Sequence, residues 1–163
     1  MNVDQAITAD GLLLASFLLG EAAFGIDAQL VQEVVKIGDI TPVHHAPHHV
    51  VGIRNLRGRI VTVIDLATRL ELGNAKITPD SRILIMEWKS EPIGFLVDSV
   101  AETITTRLED IAPPPPNLGG VQSRNLRGVC RGGHRLVGVL DPEALMSIDE
   151  LANQKSTKER ESL

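Results

Sequence analysis

The chain is short of what catalysis, membranes and nucleic acids each ask for. It has one cysteine, Cys130, so no disulfide forms within the chain and no cysteine-based zinc site exists. It has no tyrosine; Phe17, Phe24, Phe95 and Trp88 are its only aromatics, 2% of the chain. The core must therefore be aliphatic, and the platforms on which single-stranded nucleic acid stacks are nearly missing. Basic charge is also scarce. Sixteen Lys and Arg against 21 Asp and Glu leave a formal net charge of −5, which opposes tracking of a phosphate backbone. The longest apolar run near the N-terminus, Leu12–Leu19, is too short to cross a bilayer. It follows Asp4 and Asp10 rather than a basic stretch, and no cleavage-site pattern comes after it. A soluble cytoplasmic protein without membrane insertion is expected.

What is present is globular. The chain has 163 residues, 43% hydrophobic and 23% charged. At this size roughly 70% of the unfolded surface can be buried. One domain, or two small intimate subdomains, fits the length.

Short β-branched and aliphatic runs alternate with glycine and proline. Leu12–Leu19, Gly20-Glu21 and Ala22–Asp27 read as a hairpin. Asp65 is placed to cap a short helix over Leu66–Leu72, which Gly73 ends. Ser81–Trp88 and Pro92–Val97 flank a turn at Lys89–Glu91. Val100–Ile104 reads as one short strand, and Pro113–Pro116 as an extended connector. A second hairpin turns at Gly132-Gly133, and Asp141-Pro142 opens a last helix. Many short strands with Gly and Pro at the turns make an all-β fold of barrels or a sandwich.

The chain also repeats itself. Asn55-Leu56-Arg57-Gly58 recurs as Asn125-Leu126-Arg127-Gly128, 70 residues later, and Arg59–Asp65 parallels Arg135–Asp141, 76 residues later. The six-residue difference fits a longer hairpin turn in the second copy. Gly25, Val31, Glu33 and Val35 match Gly94, Val100, Glu102 and Ile104 at an offset of 69. Two structurally similar halves follow.

Three segments carry a resemblance: Phe24–Asp27 with Val31–Val34; Ala46-Pro47 with Gly52–Leu66; and Ile93–Val100. In order and spacing the chain resembles the CheW family of bacterial chemotaxis adaptors over about residues 12–148. Gly-x-x-Asn-Leu-Arg-Gly followed by an aliphatic strand ending in Asp-Leu is the most specific part. His45 stands where the family often has proline, and Phe24 where it often has tyrosine. The resemblance implies two intimately packed, SH3-like five-stranded β-barrels with short helices. It also implies a non-enzymatic scaffold between the cytoplasmic tip of chemoreceptors and the regulatory domain of a CheA-type histidine kinase, recruited to receptor arrays. The expected division is residues 1–11 as a flexible start, barrels at about 22–80 and 81–148 with strand 12–19 in either, and 149–163 as a polar tail.

An adaptor needs rigid surfaces with apolar centres and a few charges that set register. Glu33 and Arg57 are each embedded in apolar sequence, so an ion pair between them is expected, part-buried between the barrels. Against this stands a pair that only stabilises a barrel. Glu102 and Arg127 are its expected counterparts in the second half. Val31, Gly52, Asn55, Leu56, Val100 and Thr103 complete the partner-binding set by match to the family pattern. For Val and Gly, core filling and turn formation are competing readings.

The alternative is a metal-dependent enzyme or metal-binding protein built on His44, His45, His48 and His49. Adjacent side chains point apart, however, which hinders shared coordination, and a solvated loop is the plainer reading. Cys130 reads as a small core hydrophobe. Gly119-Gly120 lacks the Lys-Ser/Thr of a phosphate loop, so no cofactor is expected.

Overall fold

The computed structural model describes residues 11–118 and 120–146. The expected polar start (residues 1–10), the tail from 149 on and Gly119 lie outside the described residues.

Among the described residues, aliphatic runs cut by tight turns produce thirteen strands. They are β1 (Leu12–Leu19), β2 (Ala22–Asp27), β3 (Val31–Lys36), β4 (Val50–Leu56), β5 (Arg59–Asp65), β6 (Arg82–Trp88) and β7 (Glu91–Val97), followed by β8 (Ser99–Val100), β9 (Ile104–Thr106), β10 (Asn117–Leu118), β11 (Val121–Gln122), β12 (Leu126–Gly132) and β13 (Arg135–Leu140). One short helix, α1 (Leu66–Arg69), follows β5, and residues 142–146 are helical. Asp65 caps α1 as expected: its carboxylate accepts from the Thr68 amide and hydroxyl and from the Ala75 amide. The run expected as one strand, Val100–Ile104, is broken at 101–103, where Ser16 interrupts it. The Ser16 carbonyl takes the Ala101 amide and its hydroxyl donates to the Glu102 carbonyl.

The strands form two main sheets. One runs β3-β6-β7-β5-β4; the other runs β12-β13-β2-β1-β8, with β9 also on β1. This corrects the contiguous division at 22–80 and 81–148. The repeat copies are β1–β5 and β6–β13, and they exchange their first hairpins. β1–β2 joins the second copy's sheet, while β6–β7 joins the first copy's. The exchange is made by two parallel pairings, β5 with β7 and β13 with β2.

The registers obey the repeat residue by residue. Val63 opposes Gly94, and Val139 opposes Gly25; 139 − 63 = 76 and 94 − 25 = 69. Val31 opposes Met86 and Val100 opposes Phe17, again 69 apart on both strands. The Asn-Leu-Arg-Gly tetrapeptides fall outside this register. The first spans the β4–β5 turn, and the second lies at the start of β12. Both hairpins turn in two residues, Leu56 opposing Arg59 and Gly132 opposing Arg135. There is no longer turn in the second copy.

Alternation along each strand feeds three cores. Leu12 and Leu14 of β1 face inward with Val137, Val139 and Cys130, while Phe17 and Leu19 face the other way. On β6, Ile83 and Ile85 face inward with Val61, Val63 and Leu96, while Leu84 and Met86 face away. The residues facing away join Phe24, Ile26, Ile64, Phe95 and Leu140 in a core shared by both sheets. Helix α1 and residues 142–146 close its end: buried Arg69 donates to the Leu145 carbonyl at 3.2 Å, and Leu145 and Met146 are buried.

Each sheet wraps its own inner core as an SH3-like barrel, called here barrel one (β3-β6-β7-β5-β4) and barrel two. Barrel one has no ladder between its end strands β3 and β4. In each barrel a strap crosses the last strand at a bulge. Thr41 bridges Ile53 beside Gly52, and Ala112 bridges Val129 beside Gly128. A Cβ on Gly52 would lie 2.3 Å from the Thr41 carbonyl oxygen, and one on Gly128 would lie 2.4 Å from that of Ala112.

Gly52→Ala and Gly128→Ala should each cost about 1–3 kcal/mol in chemical denaturation, because backbone has to move. The β6–β7 turn places Lys89 and Ser90 at φ 50° and 68°, where side chains are disfavoured. Ser90→Gly should therefore stabilise the protein by about 1 kcal/mol in the same measurement.

Candidate partner-binding site

The β4–β5 turn needs two residues with positive φ, and Arg57 (52°) and Gly58 (84°) supply them. Asn55 holds the turn, its side-chain oxygen accepting the Gly58 amide at 2.9 Å. The turn throws the Arg57 side chain across to β3, where its guanidinium donates to the Glu33 carboxylate. The expected pair is thus present, but its place differs from expectation. It lies within barrel one, bridging the two end strands, rather than between barrels. The Arg57 side chain is 68% exposed and that of Glu33 34%. The hydrogen bond it donates to Glu33, followed by the Glu33 charge, raises the Arg57 pKa further, so the guanidinium stays charged throughout.

A second arginine, overlooked in the sequence, does similar work one turn deeper. Arg54 of β4 donates to the Lys36 carbonyl of β3. Side chains therefore shut the seam that the backbone ladder leaves open. Arg54 stands in the same Gly-Ile-Arg-Asn-Leu-Arg-Gly run as Arg57; its spacing of three from Arg57, on the same strand and turn, was the available signal.

The other singled-out residues divide by position. Leu56 packs on the inner core of barrel one, and Val31 packs half-buried on the shared core. Gly52 serves the close approach of the Thr41 strap, which is the structural reading of that glycine. Val100 lies in barrel two as the counterpart of Val31 and is 41% exposed. Thr103 lines a cleft of barrel two. Glu102 and Arg127 do not pair. The counterpart of Arg57 is residue 57 + 76 = 133, a glycine, whereas Arg127 sits at a strand start.

His44, His45, His48 and His49 occupy the loop between β3 and β4. Among the described residues no group of three or more His, Cys, Asp or Glu is arranged to hold a metal ion, which gives the metal alternative no support. Cys130 is buried, and burial, partly offset by a hydrogen bond with Thr106, pushes its thiol pKa up. Among the described residues no helix is long and apolar enough to cross a membrane.

These features define a class: an all-β interaction module of two strand-exchanged SH3-like barrels, with an arginine-closed seam on its surface. The comparisons narrow it. The CheW-like domain pattern matches residues 14–150, and the chain belongs to that family. It is 34% identical over 154 residues to the chemotaxis protein CheW of Treponema pallidum (strain Nichols), covering 92% of this chain and 91% of that one. It is 30% identical to protein FrzA of Myxococcus xanthus over 133 residues, covering 80% and 82%. The crystal structure of the scaffolding protein TtCheW from Thermoanaerobacter tengcongensis superposes with a TM-score of 0.76 at 33% identity, covering 83% of this chain and 87% of that one.

Cys130 should resist thiol reagents in the native protein at neutral pH and react promptly in denaturant, as Ellman titration would show. Because the folded thiol pKa is raised, the contribution of the neutral thiol is present at lower pH. It fades as pH rises past the ordinary thiol range, where the unfolded chain ionises first. A Cys130→Ala variant should therefore show a weaker fall in stability over that alkaline window.

Proposed function

We propose that this chain is a non-enzymatic chemotaxis adaptor that couples chemoreceptors to a CheA-type histidine kinase in the cytoplasm, at membrane-associated receptor arrays. Membership of the CheW-like family supports the class. The observation that carries the coupling role is the Glu33–Arg57 bridge at the seam of barrel one. A pair this exposed adds little to folding. It does fix a planar guanidinium and a carboxylate at known positions beside Val31 and Leu56, the kind of charged rim that sets register in a protein interface. Val100 and Thr103 offer a second, related edge on barrel two. The scaffold requires no proton transfer, nucleophile or cofactor of this chain; its work is to hold two partners in one geometry.

The test is kinase activity reconstituted with receptor membranes, kinase and adaptor. Arg57→Ala should keep the wild-type melting curve and circular dichroism, yet reduce receptor-dependent kinase activation about 5- to 150-fold, the usual span of a coupling free energy. The charge swap Glu33→Arg with Arg57→Glu should restore part of the activation, since the bridge is rebuilt in reverse. Full activation by Arg57→Ala would refute the assignment of this site. Loss of fold would return the pair to a purely structural role.

A further inference from the structure

The mouths of the two barrels use equivalent positions but are finished differently. Two polar pairs lie across the mouth of barrel one: Gln32 donates to the Glu87 carboxylate at 2.8 Å, and Arg57 donates to Glu33. The repeat offsets carry the first pair to Ala101 and Leu18 (32 + 69 = 101, 87 − 69 = 18). They carry the second to Gly133 and Glu102 (57 + 76 = 133, 33 + 69 = 102). The first pair is apolar in barrel two, and the second keeps its carboxylate without its guanidinium. Behind them, Ile85 fills the inner core of barrel one, where barrel two has the smaller Ser16 (85 − 69 = 16).

A cavity of about 470 Å³ occupies this mouth, and Leu18, Ala101, Glu102 and Gly133 all line it. The strands beside it are in contact. Cys130 hydrogen-bonds Thr106, and a Cβ on Gly132 would lie 2.6 Å from the Ile104 side chain. The space is therefore a pocket at the barrel's end, not a gap between β9 and β12. Its size falls in the range of small-molecule sites, about 300–1,000 Å³, and barrel mouths commonly hold them.

The pocket is apolar inside and charged at its rim. Phe17 and Leu19 face the shared core, so Ser16 and Leu18 point the other way, into barrel two. Ala23 and Val137 join them on the inner wall. Ser16 is 4% exposed, and its hydroxyl donates to the Glu102 carbonyl, which leaves only its lone pairs for an occupant. Glu102, Arg131 and Arg135 line the rim. Among the described residues none of the three forms an ion pair. Unpaired charges of both signs thus border an aliphatic wall.

We infer that the mouth of barrel two binds a small zwitterion with an aliphatic body, the chemistry of an aliphatic α-amino acid. Its ammonium takes the place on Glu102 that Arg57 takes on Glu33. Its carboxylate meets Arg131 and Arg135, and its side chain lies on Leu18 and Ala101. The site needs neither receptor nor kinase, so it stands or fails independently of the coupling role.

The test is isothermal titration calorimetry on the full chain with three probes. They are L-leucine, 4-methylpentanoate, which lacks the ammonium, and 3-methylbutylamine, which lacks the carboxylate. L-leucine should bind saturably, at least about tenfold tighter than either of the others. Glu102→Gln should weaken L-leucine binding at least about tenfold and leave that of 4-methylpentanoate unchanged. Gly133→Arg, which supplies the arginine that barrel one has, should abolish L-leucine binding. Gly133 has φ 65° and Arg57 has φ 52°, so an arginine has a precedent at this turn position. Should Gly133→Arg fail to fold, the exposed substitution Glu102→Gln carries the test. Arg59→Glu, at the matching place on barrel one, should leave binding unchanged. Equal affinity for the three probes, tighter binding of 4-methylpentanoate than of L-leucine, indifference to Glu102→Gln, or no saturation up to about 10 mM overturns the inference.

Discussion

The parallel pairings of β5 with β7 and of β13 with β2 are the interactions on which the rest of the structure depends. Each joins a strand of one repeat copy to a strand of the other. Neither copy owns a complete main sheet, and neither inner core is built from one copy. Ile83, Ile85 and Leu96 of the second copy complete the core around Val61 and Val63 of the first. Leu12 and Leu14 of the first complete the core around Val137 and Val139 of the second. The outward faces of the same hairpins, with Phe17, Phe24, Leu84 and Phe95, then have to meet in the shared core. Two barrels built this way cannot move far apart without breaking both sheets, which gives a scaffold the fixed spacing between its surfaces that partner alignment requires.

That constraint also explains why the seams matter. A sheet wrapped around a small core brings its end strands close, and in barrel one no ladder joins them. Barrel one resolves the gap with two arginines whose long side chains reach across it. Barrel two has Gly133 and Cys130 at those positions, and Cys130 meets Thr106 of β9 across the seam instead. The two frames are alike, and different residues at two equivalent positions, Arg57 against Gly133 and Arg54 against Cys130, give them different edges. The polar contacts at α1 act on another boundary: Asp65 and Arg69 anchor the helix and the 142–146 turn over the end of the shared core.

Much of the strand pattern was legible because it is local. The turns at Gly20-Glu21 and Lys89-Ser90, the Asp65 cap and the Asp141 start of the last helix depend on side chains within a few residues of one another. The 69-residue offset among Gly25, Val31, Glu33 and Val35 reflected equivalent strand positions, as the registers show. The second Asn-Leu-Arg-Gly misled for a physical reason. The first tetrapeptide needs positive φ at Arg57 and Gly58 to turn a hairpin, whereas at 125–128 the same residues meet a bulge and the Ala112 strap. Identical tetrapeptides took the conformation that their surroundings dictated.

By itself, then, the sequence determined the element types, the duplication, the family and the Glu33–Arg57 pairing, since these rest on periodicity, turn chemistry and complementary charge. Tertiary structure alone decided which sheet each hairpin entered. Alternating aliphatic strands are interchangeable partners for one another, and only the simultaneous filling of three cores selects the exchanged arrangement over two contiguous barrels. The same packing decided that the Glu33–Arg57 pair bridges two strands of one barrel in solvent rather than lying between barrels. It also decided that Gly133, unremarkable in the chain, takes the hairpin position that Arg57 holds in barrel one.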